Sequence, residues 1–260
     1  SPNMAGPPHV CSTPRTWSAG FTFGWTSKSM TPDFANSDCV VLWGSNIAHS
    51  GIARALAAVL DAEERGAKLI VIDPRFQNMA RIADRHLKIR PGTDGALALA
   101  MINVVVDEGL YNKEFVEKWT VGFDKLRELA KEYPLEKVEK ITWIPAETIR
   151  EVARMIATSK APVIFMGVAL DHHTNAVQTS RAVECLRALV SKVDDLGGFI
   201  VPSTWKDDTH YHDTVMCLRE KLPPETFAKT IGLDEHRLYR KIGPPHGDFI
   251  DGDPAGIYIA

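Results

Sequence analysis

The chain has 260 residues, of which 45% are hydrophobic and 24% charged, and its formal net charge is −3. This composition is typical of a globular protein with room for one large domain or two modest ones. The weakly negative charge argues against a nucleic-acid partner, and the longest apolar run, residues 96–106, is too short to insert into a membrane.

Four cysteines are present, at Cys11, Cys39, Cys185 and Cys217, and no two form a Cys-x-x-Cys pair. A zinc or iron–sulfur site made by this chain alone is therefore not expected, and the wide spacing makes a poor disulfide framework. The chain opens with "SPNM" and closes with "GIYIA". Because neither end carries a capping pattern, we expect a fragment of a longer protein.

Short apolar runs alternate with amphipathic segments over the first 200 residues. Strands are predicted, in chain order, at 38–43, 68–73, 86–90 and 161–167. Helices are predicted at 50–65, 93–108 and 174–192, with further charged helices inside 112–158. Ser50, Thr93 and Thr174 are the expected N-caps of the helices at 50–65, 93–108 and 174–192, and Gly66 is expected to end the helix at 50–65.

Strands joined by helices imply parallel pairing through right-handed crossovers. The predicted fold class is therefore α/β, a doubly wound, Rossmann-like parallel sheet. Residues 1–200 are assigned to this domain. Residues 201–260 are rich in Pro, Gly, Asp and His, with one helix predicted near 223–231, and are assigned to an irregular segment of a second, adjoining domain.

Small and polar residues follow the first predicted strand, in "WGSNIAHSG". Ligands of open parallel sheets bind beyond the carboxyl ends of the strands. Gly44 permits a tight turn, while Ser45 and Asn46 offer short polar groups beside a helix start, which favours an anion such as a pyrophosphate. The nicotinamide pattern Gly-x-Gly-x-x-Gly is absent. Taken alone, the segment is more often a plain turn than a phosphate site.

Acidic residues follow the second and third predicted strands. Asp73, in "DPR", either accepts hydrogen bonds from a ribose or caps the turn before Pro74. Asp94, in "RPGTDGAL", either stabilises a helix dipole or accepts the paired N–H groups of a guanine edge. Three polar strand ends on one rim favour a nucleotide. His172 and His173 follow the fourth strand and suggest metal or anion contact, although a polar loop is the favoured interpretation.

The order of these motifs resembles a known family. The segments run without interruption over about residues 3–200, in the order "PPHVC", "VVLWGSN", "VIDPR", "IADRHLKIRPGTDGALALAM", "ITWIPAETIREVARMIA", "MGVALDHHTN" and "LGG". Together they resemble the molybdenum or tungsten bis-(pyranopterin guanine dinucleotide) oxidoreductases, the dimethyl sulfoxide reductase family. "LWGSN", "DPR", "PGTD" and the "IPAETIREVARM" helix are specific in combination, although none is specific alone.

The resemblance implies that residues 1–200 correspond to the family's third domain, which holds the guanosine end of one molybdopterin guanine dinucleotide. The implied cofactor-binding residues are Gly44, Ser45 and Asn46 for the phosphates, Asp73 and Arg75 for the ribose or guanine region, Asp94 for guanine, and Gly167, His173 and Thr174 for the segment passing the pterin near the metal.

Cys11 matches the position that supplies the protein ligand to molybdenum or tungsten, which is cysteine, selenocysteine, serine or aspartate in different members. A soft thiolate suits a metal that is already bound by dithiolene sulfurs. His9 and Arg15 are candidates for contacts around the metal or substrate, so the candidate catalytic set is Cys11, Arg15 and His9. Without the family context, Cys11 is more often a spacer, Arg15 a surface charge and His9 an ordinary loop histidine.

The resemblance implies two-electron redox chemistry on a small-molecule substrate, by transfer of oxygen, sulfur or a hydride equivalent. The family's amino-terminal cysteine motif is absent, so a [4Fe–4S] cluster is expected in a missing amino-terminal part, and an iron–sulfur electron-transfer subunit is the expected partner. Formate dehydrogenases usually have histidine after the ligand, whereas this chain has Ser12. This difference makes formate dehydrogenase activity the less favoured interpretation. A reductase of sulfur compounds or nitrate, and a non-redox hydratase, stay open.

Two other functions stay open. A cofactor-less subunit of a respiratory complex would keep the fold, but the combination of Cys11, Asp73 and Asp94 argues against it. A plain nucleotide-binding module would bind GDP-like ligands without metal and would leave Cys11 unexplained. The fragment alone is expected to be inactive, and the sequence does not decide between a prokaryotic cytoplasm and periplasm.

Overall fold

A computed structural model describes residues 11–23, 31–50, 53–200, 223–227 and 257–258 of the chain. Its strands are β1 (Thr31–Pro32), β2 (Cys39–Trp43), β3 (Lys68–Ile72), β4 (Arg85–Leu87), β5 (Thr120–Val121), β6 (Pro162–Met166), β7 (Phe199–Ile200) and β8 (Ile257–Tyr258). Its helices are α1 (Thr13–Phe23), α2 (Ala53–Glu64), α3 (Asp94–Asp107), α4 (Lys113–Trp119), α5 (Phe123–Lys131), α6 (Leu135–Thr142), α7 (Ala146–Thr158), α8 (Ala176–Val190) and α9 (Pro224–Phe227).

The main sheet has four parallel strands in the order β4-β3-β2-β6. The chain winds outward from β2 through β3 to β4 and then returns to the other side of β2 as β6. The predicted doubly wound α/β fold is thus confirmed. The register sets Trp43 opposite both Ile72 and Met166. Because the winding direction changes between β2 and β6, the carboxyl ends of these two strands form the topological switch point.

The sheet core explains the continuous apolar runs in the sequence. Every residue of β2 is buried, as are four of the five residues of β3. Parallel strands are covered by helices on both faces, so they lack the alternation of a half-exposed strand. The long helix α3 lies at the centre of the helical packing and contacts α5, α6, α7 and α8.

Several boundaries differ from the sequence prediction. The third strand covers Arg85–Leu87 rather than 86–90, because the backbone turns directly after it, where the Ile89 N–H donates to the Leu87 carbonyl oxygen at 2.9 Å. Thr93 stands at the N-cap of α3, but its hydroxyl donates to the Arg90 carbonyl oxygen at 2.7 Å instead of capping the helix. Asn175 rather than Thr174 is the N-cap residue of α8. The predicted N-cap position is therefore confirmed for Thr93, although its side chain does not cap the helix, and the predicted Thr174 cap is wrong.

Other predictions of local structure are confirmed or fall outside the described ranges. Gly66 has φ +92, as expected where the first helix ends. That helix is described from Ala53, and residues 51–52 lie outside the described ranges. Of the helix predicted near 223–231, Pro224–Phe227 is described as helical. No helix within the described ranges has the length and hydropathy needed to span a bilayer.

Helix α1 is not predicted from the sequence, and α6 is predicted only as part of the helical region 112–158, without bounds of its own. Helix α6 is eight residues long, and its buried residues are Leu135, Val138 and Thr142. It ends at Trp143, which adopts φ +66. An eight-residue segment with three buried positions carries a weak periodic signal, which is why only its charged, helical character was predicted.

Candidate functional site

The two loops at the switch point are in direct contact. The N–H of Gly167 donates to the carbonyl oxygen of Trp43 at 2.7 Å. A Cβ atom at position 167 would lie 2.0 Å from the carbonyl oxygen of Gly44, and one at position 44 would lie 2.8 Å from Leu170 Cδ1. Gly44 also has φ +59, which favours glycine. The predicted residues Gly44 and Gly167 therefore form a crossing that a side chain at either position would obstruct.

A cleft of about 790 Å³ lies at the carboxyl ends of β2 and β3, and its lining includes the predicted residues Gly44, Asn46, Asp73 and Arg75. Small-molecule sites commonly measure roughly 300–1,000 Å³. The Oδ1 atom of Asn46 is shielded from solvent and has no hydrogen-bond partner among the described residues. A buried acceptor without a donor is costly, so this atom is a suitable partner for a hydroxyl or N–H group of a ligand.

Asp73 caps the turn that follows β3, which was one of its two predicted roles. Its Oδ1 atom accepts a hydrogen bond from the Arg75 backbone N–H at 2.8 Å. The Arg75 side chain is 72% exposed, whereas that of Asp73 is 7% exposed, and Arg75 Nε lies 4.0 Å from Asp73 Oδ1. This rim of the cleft thus combines a fixed carboxylate with a solvent-accessible cation.

Gln77 and His86 support these loops and were not identified from the sequence. Gln77 donates through Nε2 to the carbonyl oxygen of Ser45 at 3.3 Å and accepts through Oε1 from the N–H of Met79 at 3.0 Å. Ser45 itself is buried. His86 Nε2 lies 2.9 Å from the carbonyl oxygen of Asp73. The contacts of Gln77 with Ser45 and of His86 with Asp73 join segments that are 32 and 13 residues apart, so no local pattern marks them.

Asp94 is buried at the start of α3, and its Oδ1 atom accepts a 2.8 Å hydrogen bond from Nε1 of Trp43. Burial raises the pKa of the Asp94 carboxyl, while the hydrogen bond from Trp43 and the charge of nearby His173 act in the opposite direction. Oδ1 of Asp94 therefore already has a protein partner, and any ligand that binds Asp94 would share the carboxylate with the Trp43 indole.

The predicted residues His173 and Thr174 line a second cavity of about 610 Å³, which also contacts Gly92 and parts of α3, α5 and α8. A Cβ atom at Gly92 would lie 3.5 Å from His173 Nδ1. His172 borders both this cavity and the 790 Å³ cleft. Six of the nine predicted cofactor residues thus line one of two cavities that share His172, whereas Ser45, Asp94 and Gly167 line neither.

Cys11 lies in the turn before α1 and is partly exposed. Four residues later, Arg15 fixes the first turn of α1 to the end of β6. Its backbone N–H donates to Asp171 Oδ1 at 3.0 Å, its Nε to Asp171 Oδ2 at 2.6 Å, and its Nη1 to the carbonyl oxygen of Met166 at 2.6 Å. These bonds link the Cys11 turn to the strand end at the switch point. His9 lies outside the described residues.

The other described cysteines differ from Cys11 in their environment. Burial raises the pKa of Cys39 and of Cys185 to about 12. Both therefore remain protonated thiols at neutral pH, and a protonated thiol is a poor metal ligand. Among the described residues, no group of three or more His, Cys, Asp or Glu side chains is arranged to hold a metal ion.

The strand order and the ligand-sized cleft at the switch point define a doubly wound α/β unit with a cleft where such folds bind their ligands. Comparison with known proteins gives its family, because residues 4–230 match the sequence model of the molybdopterin oxidoreductases. The chain belongs to the molybdopterin oxidoreductase family, and the resemblance stated from its motifs is confirmed.

The relatives include enzymes of different chemistry. The chain is 45% identical over 157 residues to acetylene hydratase of Syntrophotalea acetylenica, covering 60% of this chain and 22% of that protein. It is 33% identical over 226 residues to formate dehydrogenase H of Escherichia coli K12, covering 81% and 31% respectively. The structure of acetylene hydratase from Pelobacter acetylenicus matches with a TM-score of 0.78 and 36% identity, over 90% of this chain and 31% of that one. The chain therefore spans about a quarter to a third of these relatives.

Proposed function

We propose that this chain is the dinucleotide-binding part of a molybdenum or tungsten bis-(molybdopterin guanine dinucleotide) enzyme that performs two-electron redox chemistry on a small molecule. The observation that carries the proposal is the cleft at the switch point, which Asn46 lines and whose rim combines the Asp73 carboxylate with the exposed Arg75 guanidinium, in a chain that matches the family over residues 4–230. The guanine dinucleotide form of the cofactor is part of this proposal.

The residues of the cleft fit such a group. Asn46 Oδ1 needs a donor, which a ribose hydroxyl or a guanine N–H would provide. The exposed guanidinium of Arg75 suits a phosphate or a base edge at the rim. The proposed contacts are Gly44, Ser45 and the N–H groups of Asn46 with the phosphates, Asp73 and Arg75 with the ribose or guanine region, Asp94 with guanine, and Gly167, His173 and Thr174 with the pterin side.

Cys11 is the proposed protein ligand of the metal, through its Sγ atom. Its exposure and its position before α1 support this role, since the two other described thiols are buried and protonated. The cofactor, when bound, would supply a metal able to exchange two electrons with substrate. Within the chain, Arg15 holds the Cys11 turn to the end of β6 through Asp171. A direct contact of Arg15 or His9 with substrate is also part of the proposal.

The redox interpretation places electron transfer outside this chain. We propose a [4Fe–4S] cluster in an amino-terminal part of the whole protein and an iron–sulfur subunit as its partner. A relative of the F420-dependent formate dehydrogenase class is named as a subunit alpha, which is consistent with assembly into a complex.

A hydratase is the second candidate function. It is favoured by the 45% identity to acetylene hydratase, and Ser12, which stands after Cys11 and makes formate oxidation the weaker interpretation, is compatible with it. In that case the chain would bind the same cofactor, and the same residues would hold it, but substrate would be hydrated without net transfer of electrons.

The test is elemental analysis of the full-length protein, purified without oxygen, beside Cys11→Ala and Cys11→Ser variants. About one molybdenum or tungsten per chain is expected, and X-ray absorption should show one sulfur fewer around the metal in both variants. Turnover with a redox dye favours the oxidoreductase, while hydration of an alkyne without dye favours the hydratase. A folded, metal-supplied protein that contains neither metal would overturn both and favour a cofactor-less subunit.

A further inference from the structure

Phe76 is an exposed aromatic residue on the wall of the 790 Å³ cleft. Its side chain is 70% exposed, the largest value among the large hydrophobic residues of the described ranges. It follows Arg75 directly and lies within four residues of Asp73, so it shares the rim with the carboxylate and the cation described above. A phenylalanine that remains exposed inside a ligand-sized cleft costs solvation free energy until something covers it.

The ring of Phe76 is held in a defined orientation. It packs edge-to-face on the ring of His86, with centroids 5.6 Å apart and an interplanar angle of 62°. His86 is itself fixed, because its Nε2 atom lies 2.9 Å from the carbonyl oxygen of Asp73. Because His86 orients the Phe76 ring while most of the ring stays exposed, the ring is a preformed flat surface beside the cleft.

The groups around this surface suit one ligand chemistry. Asn46 lines the cleft and its shielded Oδ1 atom has no donor among the described residues, Asp73 is an acceptor, and Arg75 is an exposed cation. A ligand that meets all of them has a planar ring, hydrogen-bond donors and negative charge, as a purine nucleotide does. An apolar peptide could donate through its backbone N–H groups but would bring no negative charge to the exposed Arg75 guanidinium, so a protein contact is the weaker fit.

We propose that Phe76 is the stacking surface for the purine base of the bound dinucleotide. The inference rests on the proposed function and extends it. It places the base beside the residues that follow β3, and it makes Phe76 the residue that selects a purine over a pyrimidine. A purine covers more of the ring than a pyrimidine does, whereas hydrogen bonds from the neighbouring polar groups decide between guanine and adenine.

The test uses the 260-residue chain and GDP as the probe, with affinity measured by isothermal titration calorimetry. Phe76→Ala should weaken GDP binding about ten- to a hundredfold, and Phe76→Tyr should restore it. Inorganic pyrophosphate, which has no base, should bind the wild type and Phe76→Ala equally. Trp119→Ala, which removes another exposed aromatic (63% exposed) outside the cleft lining, is the matched control and should leave GDP binding unchanged.

A spectroscopic signature separates stacking from a structural role. In a Phe76→Trp variant, GDP should quench the additional tryptophan fluorescence and CDP should quench it less at equal occupancy. If GDP binds the wild type and Phe76→Ala with the same affinity, the stacking role is overturned while the nucleotide site stands. If the folded wild-type chain binds neither GDP nor pyrophosphate, the proposed nucleotide site fails, and the role of Phe76 fails with it.

Discussion

The indole of Trp43 donates a 2.8 Å hydrogen bond to Oδ1 of Asp94, and both side chains are buried. Trp43 is the last residue of β2 and Asp94 is the first residue of α3, so the bond ties the central strand to the central helix at the ligand edge of the sheet. Asp94 therefore has a structural partner in addition to the helix dipole, and its proposed contact with guanine would use what remains of its acceptor capacity.

Replacing Asp94 by Asn should change how stability depends on pH. Burial raises the pKa of Asp94 in the folded protein above its unfolded value near 3.8. Between these two values the folded state holds more protons than the unfolded state, so this group lowers the free energy of unfolding as pH rises through that window. Asp94→Asn keeps an oxygen acceptor for Trp43 and removes the titration.

Urea unfolding of wild type and Asp94→Asn over a pH series measures this difference. The stability of the variant relative to wild type should increase as pH rises above about 4 and then become constant. A difference independent of pH would contradict the prediction. Trp43→Phe provides the companion measurement, because it leaves Asp94 buried without the indole donor and should cost about 1–3 kcal/mol.

Gly167→Ala should destabilise the switch point. A Cβ atom there would lie 2.0 Å from the carbonyl oxygen of Gly44, which is backbone and can move only with its loop. We expect a loss of about 1–3 kcal/mol, together with weaker GDP binding because the cleft wall is displaced. Both are measured by denaturant unfolding and calorimetry.

Gly66→Ala is the matched control for Gly167→Ala. Gly66 has φ +92, but a Cβ atom there would meet no described atom within 4 Å. Gly66→Ala should therefore lower the free energy of unfolding only by the cost of placing alanine in a left-handed conformation, about 1 kcal/mol, and should leave GDP binding unchanged. Equal effects on GDP binding at the two positions would argue that the crossing of Gly44 and Gly167 does not shape the cleft.

The parallel sheet was predictable because its cause is local. Runs such as "DCVVLW" and "KLIVID" are apolar throughout, as buried parallel strands require, and helical segments separate them. The polar residues at the strand ends, Asn46 and Asp73, follow from the same pattern. The contacts that complete the site do not: Trp43 and Asp94 are 51 residues apart, and Arg15 and Asp171 are 156 apart. Such pairs depend on strand register and helix packing, which sequence spacing does not specify.

Cys11 should be the first of the described thiols to react with iodoacetamide in the folded chain. It is partly exposed, whereas Cys39 and Cys185 are buried and their pKa is raised to about 12, which leaves little thiolate at neutral pH. Peptide mass spectrometry after brief labelling at pH 7.5 measures the order. Labelling in urea, where all thiols are exposed, is the control, and equal native labelling of Cys11 and Cys39 would contradict the prediction.

Glu184 and Arg187 form a buried ion pair on α8, with Arg187 Nη1 2.5 Å from Glu184 Oε2. The guanidinium carbon also lies 3.5 Å from the centroid of the Phe199 ring. Glu184 Oε1 and Arg187 Nε have no hydrogen-bond partner in the described part of the chain. Burial raises the pKa of Glu184 and lowers that of Arg187, so desolvation opposes both charges. A pair with incomplete hydrogen bonding recovers only part of that cost.

A double-mutant cycle on this pair should therefore be strongly non-additive. Arg187→Met alone leaves Glu184 buried without its counter-charge and should cost about 3–5 kcal/mol. Adding Glu184→Leu removes the isolated charge, and methionine keeps contact with the Phe199 ring, so the double variant should regain most of that loss or exceed wild-type stability. Denaturant unfolding of the four proteins measures the coupling. Additive losses would show instead that Glu184 and Arg187 contribute to stability independently, with no coupling between the two charges.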